Sequence, residues 1–145
     1  MSAPLKMQKL AHALHNAGFD RTAQAISRVT RVIFATHLPP EAEIGEGTEL
    51  GYGGIGVIVH KEAVIGRNCL LSPGVVVGGR SGKDGAPVIE DEVLIGVGAK
   101  ILGPIRIGAG AKIGANAVVL HDVDPGDTVA GVPARSLRSR KRQSA

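Results

Sequence analysis

At 145 residues the chain is the size of one domain, and a second independent core is not expected. Its only aromatics are Phe19, Phe34 and Tyr52, against 21 glycines, so small aliphatic side chains must fill the interior. The formal charge of +4 is concentrated in Arg135, Arg138, Arg140, Lys141 and Arg142, which leaves the rest of the chain slightly acidic and argues against a basic, nucleic-acid-binding body.

Cys69 is the single cysteine, which excludes an internal disulfide and suits a reducing compartment. The N-terminal stretch lacks the apolar run of a signal peptide, and no later stretch approaches about 18 uninterrupted apolar residues. A soluble cytoplasmic protein with no membrane span is therefore expected.

Residues 1–36 read as a helical segment. Leu5, Leu10 and Leu14 suit a first helix, which "AGFD" interrupts. Asp20 is placed to cap a second helix, in which Ile26, Val29 and Ile33 recur at helical spacing, and "HLPP" ends it.

From residue 37 to 134 the period changes. Every sixth residue from 59 to 119 gives Val59, Ile65, Leu71, Val77, Lys83, Ile89, Ile95, Ile101, Ile107, Ile113 and Val119. Ten of these eleven are Ile, Leu or Val, although those types make up only 39 of the 145 residues. Glycine follows at 66, 78, 96, 108 and 114, and a small residue stands two places before at Ala63, Cys69, Ala99, Ala111 and Ala117. A short strand followed by a tight bend fits this pattern, with glycine supplying backbone freedom. Three bends close a triangle, so the period predicts a parallel β-helix prism whose aliphatic residues stack from coil to coil.

Ile44 and Leu50 keep the spacing but stand half a repeat out of phase with Val59, and "GYGGIG" is expected to absorb the shift. Lys83 falls in "GGRSGKDGAP", which reads as an extruded loop over 78–88. Loops leaving a rigid scaffold are where binding usually occurs. Residues 135–145 read as a basic, solubilising tail.

The run "IGVGAKILGPIRIGAGAKIGANAVVLHDVDPGDTVAGVPAR" resembles the hexapeptide-repeat acyltransferases, and within them the serine acetyltransferase branch; the likeness covers roughly residues 39–137. What it implies is a mainly β fold, a left-handed parallel β-helix behind short N-terminal helices. It also implies a homotrimer using acetyl-coenzyme A and no metal, with each active site in the groove between neighbouring prisms. Two features depart from that branch. Tyr52 and Gly53 stand where its catalytic Asp-His pair lies, and Ala86 stands where its loop carries a second histidine. The helical segment is also cut down, to residues 1–36. The chain is similar in these respects to shorter relatives in polysaccharide biosynthesis with a "GYGGIGVIVH" type of segment.

Acetyl transfer to a hydroxyl needs a base for the acceptor's proton and donors for the oxyanion. Histidine suits the first role. His60 is the candidate base, because it follows Val59 at the bend position that glycine fills elsewhere and lies one coil from the loop. His12 and His15 read as solvated, His37 as a surface or structural residue and His121 as exposed. Cys69 shares its phase with inward alanines and reads as core. For the coenzyme, the resemblance points to Gly79, Val97, Lys112 and Ala115, whose small side chains expose main chain to the pantetheine arm while Lys112 faces a phosphate. Arg80, Lys83 and Arg135 are further candidates for the nucleotide end.

The leading expectation is an acetyl-coenzyme A dependent O-acetyltransferase acting on a sugar or polysaccharide precursor, or on serine. A γ-type carbonic anhydrase needs three zinc-binding histidines, whereas His60 and His121 alone lie in the repeats, far apart. A non-catalytic β-helix scaffold whose basic tail binds an anionic partner is the alternative, without aromatics for single-strand binding.

Overall fold

The computed structural model describes residues 1–138. Helices α1 (Ala3–Asn16) and α2 (Asp20–Phe34) lead into a column of short parallel strands arranged on three faces. The first face stacks Glu43–Ile44, Val64–Ile65, Val88–Ile89 and Arg106–Ile107. The second stacks Glu49–Leu50, Leu70–Leu71, Leu94–Ile95, Lys112–Ile113 and Thr128–Ala130, with Arg135–Ser136 added antiparallel at its end. The third stacks Ile58–Val59, Val76–Gly78, Lys100–Leu102 and Val118–Val119, and His37 bridges to Ile58 beyond them.

The registers explain the sixfold spacing. Ile95 lies over Ile113, and Ile101 over Val119, each three repeats on. Ile44 pairs with Ile65, three and a half repeats on, and the extra half-repeat is taken up at Gly51–Gly54, where Tyr52 (φ 49°) and Gly53 (φ 72°) turn left-handed. Ile65 pairs with Ile89, four repeats on. The loop therefore adds one whole repeat, which is why the aliphatic phase runs unbroken past Lys83. After Val119 the coil shortens by a third of a repeat, since Ile107 bridges to Val123 and Ile113 pairs with Val129.

The inward ladders are almost dry: Val59, Val77 and Ile101 are fully buried, as are the small partners Val57, Val75, Ala99 and Ala117. Each fully buried Val, Leu or Ile contributes about 1.5–3 kcal/mol. Coils of such short strands have no stability singly and hold together through their neighbours.

The glycines after the rungs have a different cause from the one expected. At Gly45, Gly66, Gly96 and Gly108 the backbone is not left-handed; an added Cβ would lie 2.4–2.6 Å from atoms of the next coil. Close stacking, not conformational freedom, excludes a side chain there. Gly108→Ala places its Cβ 2.4 Å from Pro125 N, so it should lower stability by about 1–3 kcal/mol in urea unfolding. A loss indistinguishable from zero would show that the coils separate without strain.

The helices pack differently from the predicted stripes. In α1 the buried residues are Pro4, Leu5, Gln8 and Ala11, while Leu10 is exposed. In α2 they are Ala23, Ser27 and Thr30, and Val29, Val32 and Ile33 face outward. Small residues allow close approach to the first coil, where Ser27 Oγ donates to Leu38 O (3.1 Å) and Gln8 Nε2 to Ala42 O (3.0 Å). Asp20 does not cap α2; its carboxylate pairs with His15 Nδ1 at 2.6 Å. No helix among the described residues is long and apolar enough to cross a membrane.

Candidate active site

His60 sits at the corner where the third face turns into the first. Its N–H donates to Val77 O (2.8 Å), and its own carbonyl accepts from Ala63 N (3.0 Å), so the backbone is fixed on both sides. The Glu62 amide donates to His60 Nδ1 at 3.1 Å. A nitrogen that accepts carries no proton, so the neutral ring holds its hydrogen on Nε2. One coil on, Gly79 leaves the space beside that atom open, since a Cβ there would come 3.8 Å from Nε2 and Cδ2.

The ring borders an apolar cavity of about 380 Å³ lined by His37, Ile58, Val59, His60, Lys61, Val77 and Gly78. His37 was not expected here. It extends the third face by one strand position, with its N–H donating to Val57 O (2.8 Å) and its carbonyl accepting from Val59 N (2.9 Å). This backbone pairing aims the side chain outward in the row of Ile58, toward the same cavity. Burial first, and then the Arg31 guanidinium, push the His37 imidazole below the ordinary histidine range, against a smaller opposing pull from Glu41. The signal in the sequence was Leu38, which stands in phase with Ile44 and Leu50 and so makes His37 the outward neighbour of a rung.

The remaining candidates form two groups on different edges. Gly79 and Arg80 open the loop beside His60. There Lys83 N donates to Arg80 O (3.1 Å) in a tight turn, and Arg80 lies against the open Cα of Gly103. Lys112 and Arg135 belong to the second face, and Val97 and Ala115 to its edge with the third, where Asn116 N donates to Val97 O (2.8 Å). Within one protomer the structure does not bring the two groups together. Exposed Leu70, Leu94, Val97, Tyr52, Ile55 and Ile58 run over the second and third faces and their shared edge.

The other sequence candidates resolve plainly. His12 is partly buried, not free on the surface: its Nδ1 bonds to Pro40 O at 2.7 Å and its Nε2 to Asn16 Nδ2 at 3.1 Å. Cys69 is core, 1 % exposed, with Sγ donating to Glu90 O (3.1 Å), and burial pushes its thiol pKa up. His121 is exposed at a second cavity, about 240 Å³, bordered by Asp122, Asp124 and Asp127 and by Arg135. Arg135 to Arg138 are not a free tail: Arg135–Ser136 pairs with the last coil, and Arg138 Nε lies 3.6 Å from Asp127. The rest of the basic tail, with Arg140, Lys141 and Arg142, lies outside the described residues.

A prism of stacked hexapeptides with an extruded loop is the architecture of a hexapeptide transferase, and residues 86–121 match the family described as bacterial transferase hexapeptide (six repeats). Known proteins narrow this further. The chain is 41 % identical over 129 residues to the serine acetyltransferase of Bacillus subtilis, covering 88 % of this chain and 59 % of that one. It is 39 % identical over 131 residues to that of Helicobacter pylori, covering 89 % and 76 %. A soybean serine acetyltransferase complexed with serine superposes with a TM-score of 0.88 at 40 % identity, covering 92 % of this chain and 56 % of the other. One from Brucella abortus in complex with coenzyme A gives 0.88 at 39 %, covering 92 % and 54 %. The chain belongs to the serine acetyltransferase family. It spans little more than half the length of the Bacillus protein and of the two solved structures.

Proposed function

We propose that the protein transfers the acetyl group of acetyl-coenzyme A to the hydroxyl of serine, in a trimer whose sites lie between neighbouring prisms, with His60 at the reaction centre. The observation that carries this reading is the apolar cavity at His60, lined by Gly78 where the loop begins, with Gly79 beside the ring. Serine is favoured as acceptor because the relatives above are serine acetyltransferases, one of them solved with serine. None of these names a sugar, and the polysaccharide acceptor has no support.

The division of candidate residues between two edges supports a trimer. Gly79 and Arg80 of one copy meet Val97, Lys112, Ala115 and Arg135 of another when the apolar second and third faces pack together, which also covers Leu70, Leu94 and Val97. Backbone at Gly79, Val97 and Ala115 lines the pantetheine arm. Lys112, Arg80 and Arg135 offer charge to the phosphates.

Release of free thiol from acetyl-coenzyme A, followed with serine, threonine and simple sugars as acceptors, tests the assignment. Serine is expected to give saturable turnover, and the others little. Turnover restricted to sugars would reverse the choice of acceptor, and no turnover with any of them would favour the scaffold.

A further inference from the structure

We propose that His37 is a second catalytic imidazole of this site, taking the proton of the acceptor hydroxyl while His60 Nε2–H holds the thioester carbonyl oxygen. The inference deepens the acetyltransferase reading and rests on it.

It begins with the tautomer. A ring whose Nδ1 is occupied by the Glu62 amide and whose Nε2 carries the hydrogen offers a donor toward Gly79, not a lone pair. His60 in this state serves the developing oxyanion, and the base must come from elsewhere in the cavity. Of the other residues lining it, only Lys61 and His37 carry ionisable side chains, and an ammonium offers donors but no acceptor.

His37 meets the requirements of a base. Its imidazole makes no hydrogen bond to any described residue, so both nitrogens are free for a ligand. Ile58 pairs with His37, and His60 lies two positions further along the same chain. The strand spacing and two steps of rise then put the two Cα atoms roughly 8 Å apart. That gap leaves room for a carbonyl carbon and an attacking oxygen between two side chains that line one cavity. The charged and titratable groups around His37 are Arg31 from α2, Glu41 from the segment after Pro40, and Lys61 and His60 at the cavity. Burial and then Arg31 favour the neutral imidazole, the form a base needs before the reaction.

The step balances without any further reagent. The hydroxyl oxygen forms a bond to the thioester carbonyl carbon as its proton passes to His37. The carbonyl π electrons move onto the oxygen held by His60, and when they return the C–S bond breaks. The departing thiolate takes the proton back from the His37 imidazolium, leaving acetylated serine and coenzyme A.

The test compares wild type, His37→Gln and His60→Gln as full chains, with circular dichroism confirming the fold and His37→Asn held as a second variant. His37→Gln is expected to lower kcat about 100-fold, within the range for loss of a general base, while coenzyme A binding by calorimetry is unchanged. The wild-type kcat/KM profile is expected to show an acid limb with a midpoint below 6.5, which His37→Gln abolishes and His60→Gln retains. Retention of that limb or of full turnover in His37→Gln overturns the proposal. A second arm needs no turnover: in wild type, the ring resonances of His37 should move on saturation with L-serine, and unmoved resonances also overturn it. A wild type inert toward every acceptor would instead sink the acetyltransferase reading, which the resonance arm does not depend on.

Discussion

His60→Ala should lower kcat for acetyl transfer to serine about 100- to 1,000-fold, the range for losing one donor to a developing oxyanion. The large effect on rate goes with a small one on the fold. The ring is half-buried at a corner, its side chain takes a hydrogen bond only from the Glu62 amide among the described residues, and the inward ladder beside it belongs to Val59. Melting temperature and the oligomeric state seen by light scattering should therefore stay near those of wild type. A fall in kcat accompanied by an equal loss of folded protein would mark His60 as a corner residue only, and undiminished kcat would remove it from the reaction.

Ile101→Ala should lower the unfolding free energy by about 2–5 kcal/mol, the span for large-to-small changes in a packed core. Ile101 is 0 % exposed and lies between Val77 and Val119 in the third-face ladder, with Lys100 and Leu102 fixing its strand on both sides. The coils cannot close around the hole, because the glycine corners already bring neighbouring backbones together. Val129→Ala, at the last coil and 5 % exposed, removes less volume and has a coil on one side only, so its loss should be smaller. Urea unfolding monitored by circular dichroism measures both, and equal losses at the two positions would contradict a stack whose stability is greatest in its middle.

Period and composition made the column legible because each rung is a local pattern repeated in register: Ile65, Ile89 and Ile107 are neighbours in space since each is a whole number of repeats from the next. The same rule located the shift at "GYGGIG" and the loop at Lys83. It could not reveal the shortened coil between Val119 and Val123, which leaves no glycine or small-residue mark. It also misassigned the corner glycines, because a close approach from another coil has no trace in local sequence. The helices misled for a related reason. The periodic apolar residues of α2 lie on its outer side, and the packing surface is made by Ala23, Ser27 and Thr30, whose smallness is the relevant property. His60 was visible as a break in the glycine pattern. His37 showed only as the outward neighbour of Leu38, since its place in the cavity depends on the half-repeat offset of the first coil.

Toward the ends of the column some of the slots two places before the rungs are polar, as at Thr36, Thr48 and Asp127. Thr36 Oγ1 donates to Gly54 O (2.8 Å) and Thr48 Oγ1 to Gly66 O (2.7 Å) at one end. At the other, Asp127 accepts from Thr128 N (2.8 Å) and from Ser136 Oγ (3.0 Å). A stack of parallel strands left open would recruit further molecules onto its termini and grow into filaments. Helices α1 and α2 bond to the first coil through Gln8 and Ser27, and the reversed strand Arg135–Ser136 pairs with the last coil, so each end of the column meets a segment that does not continue the parallel stack.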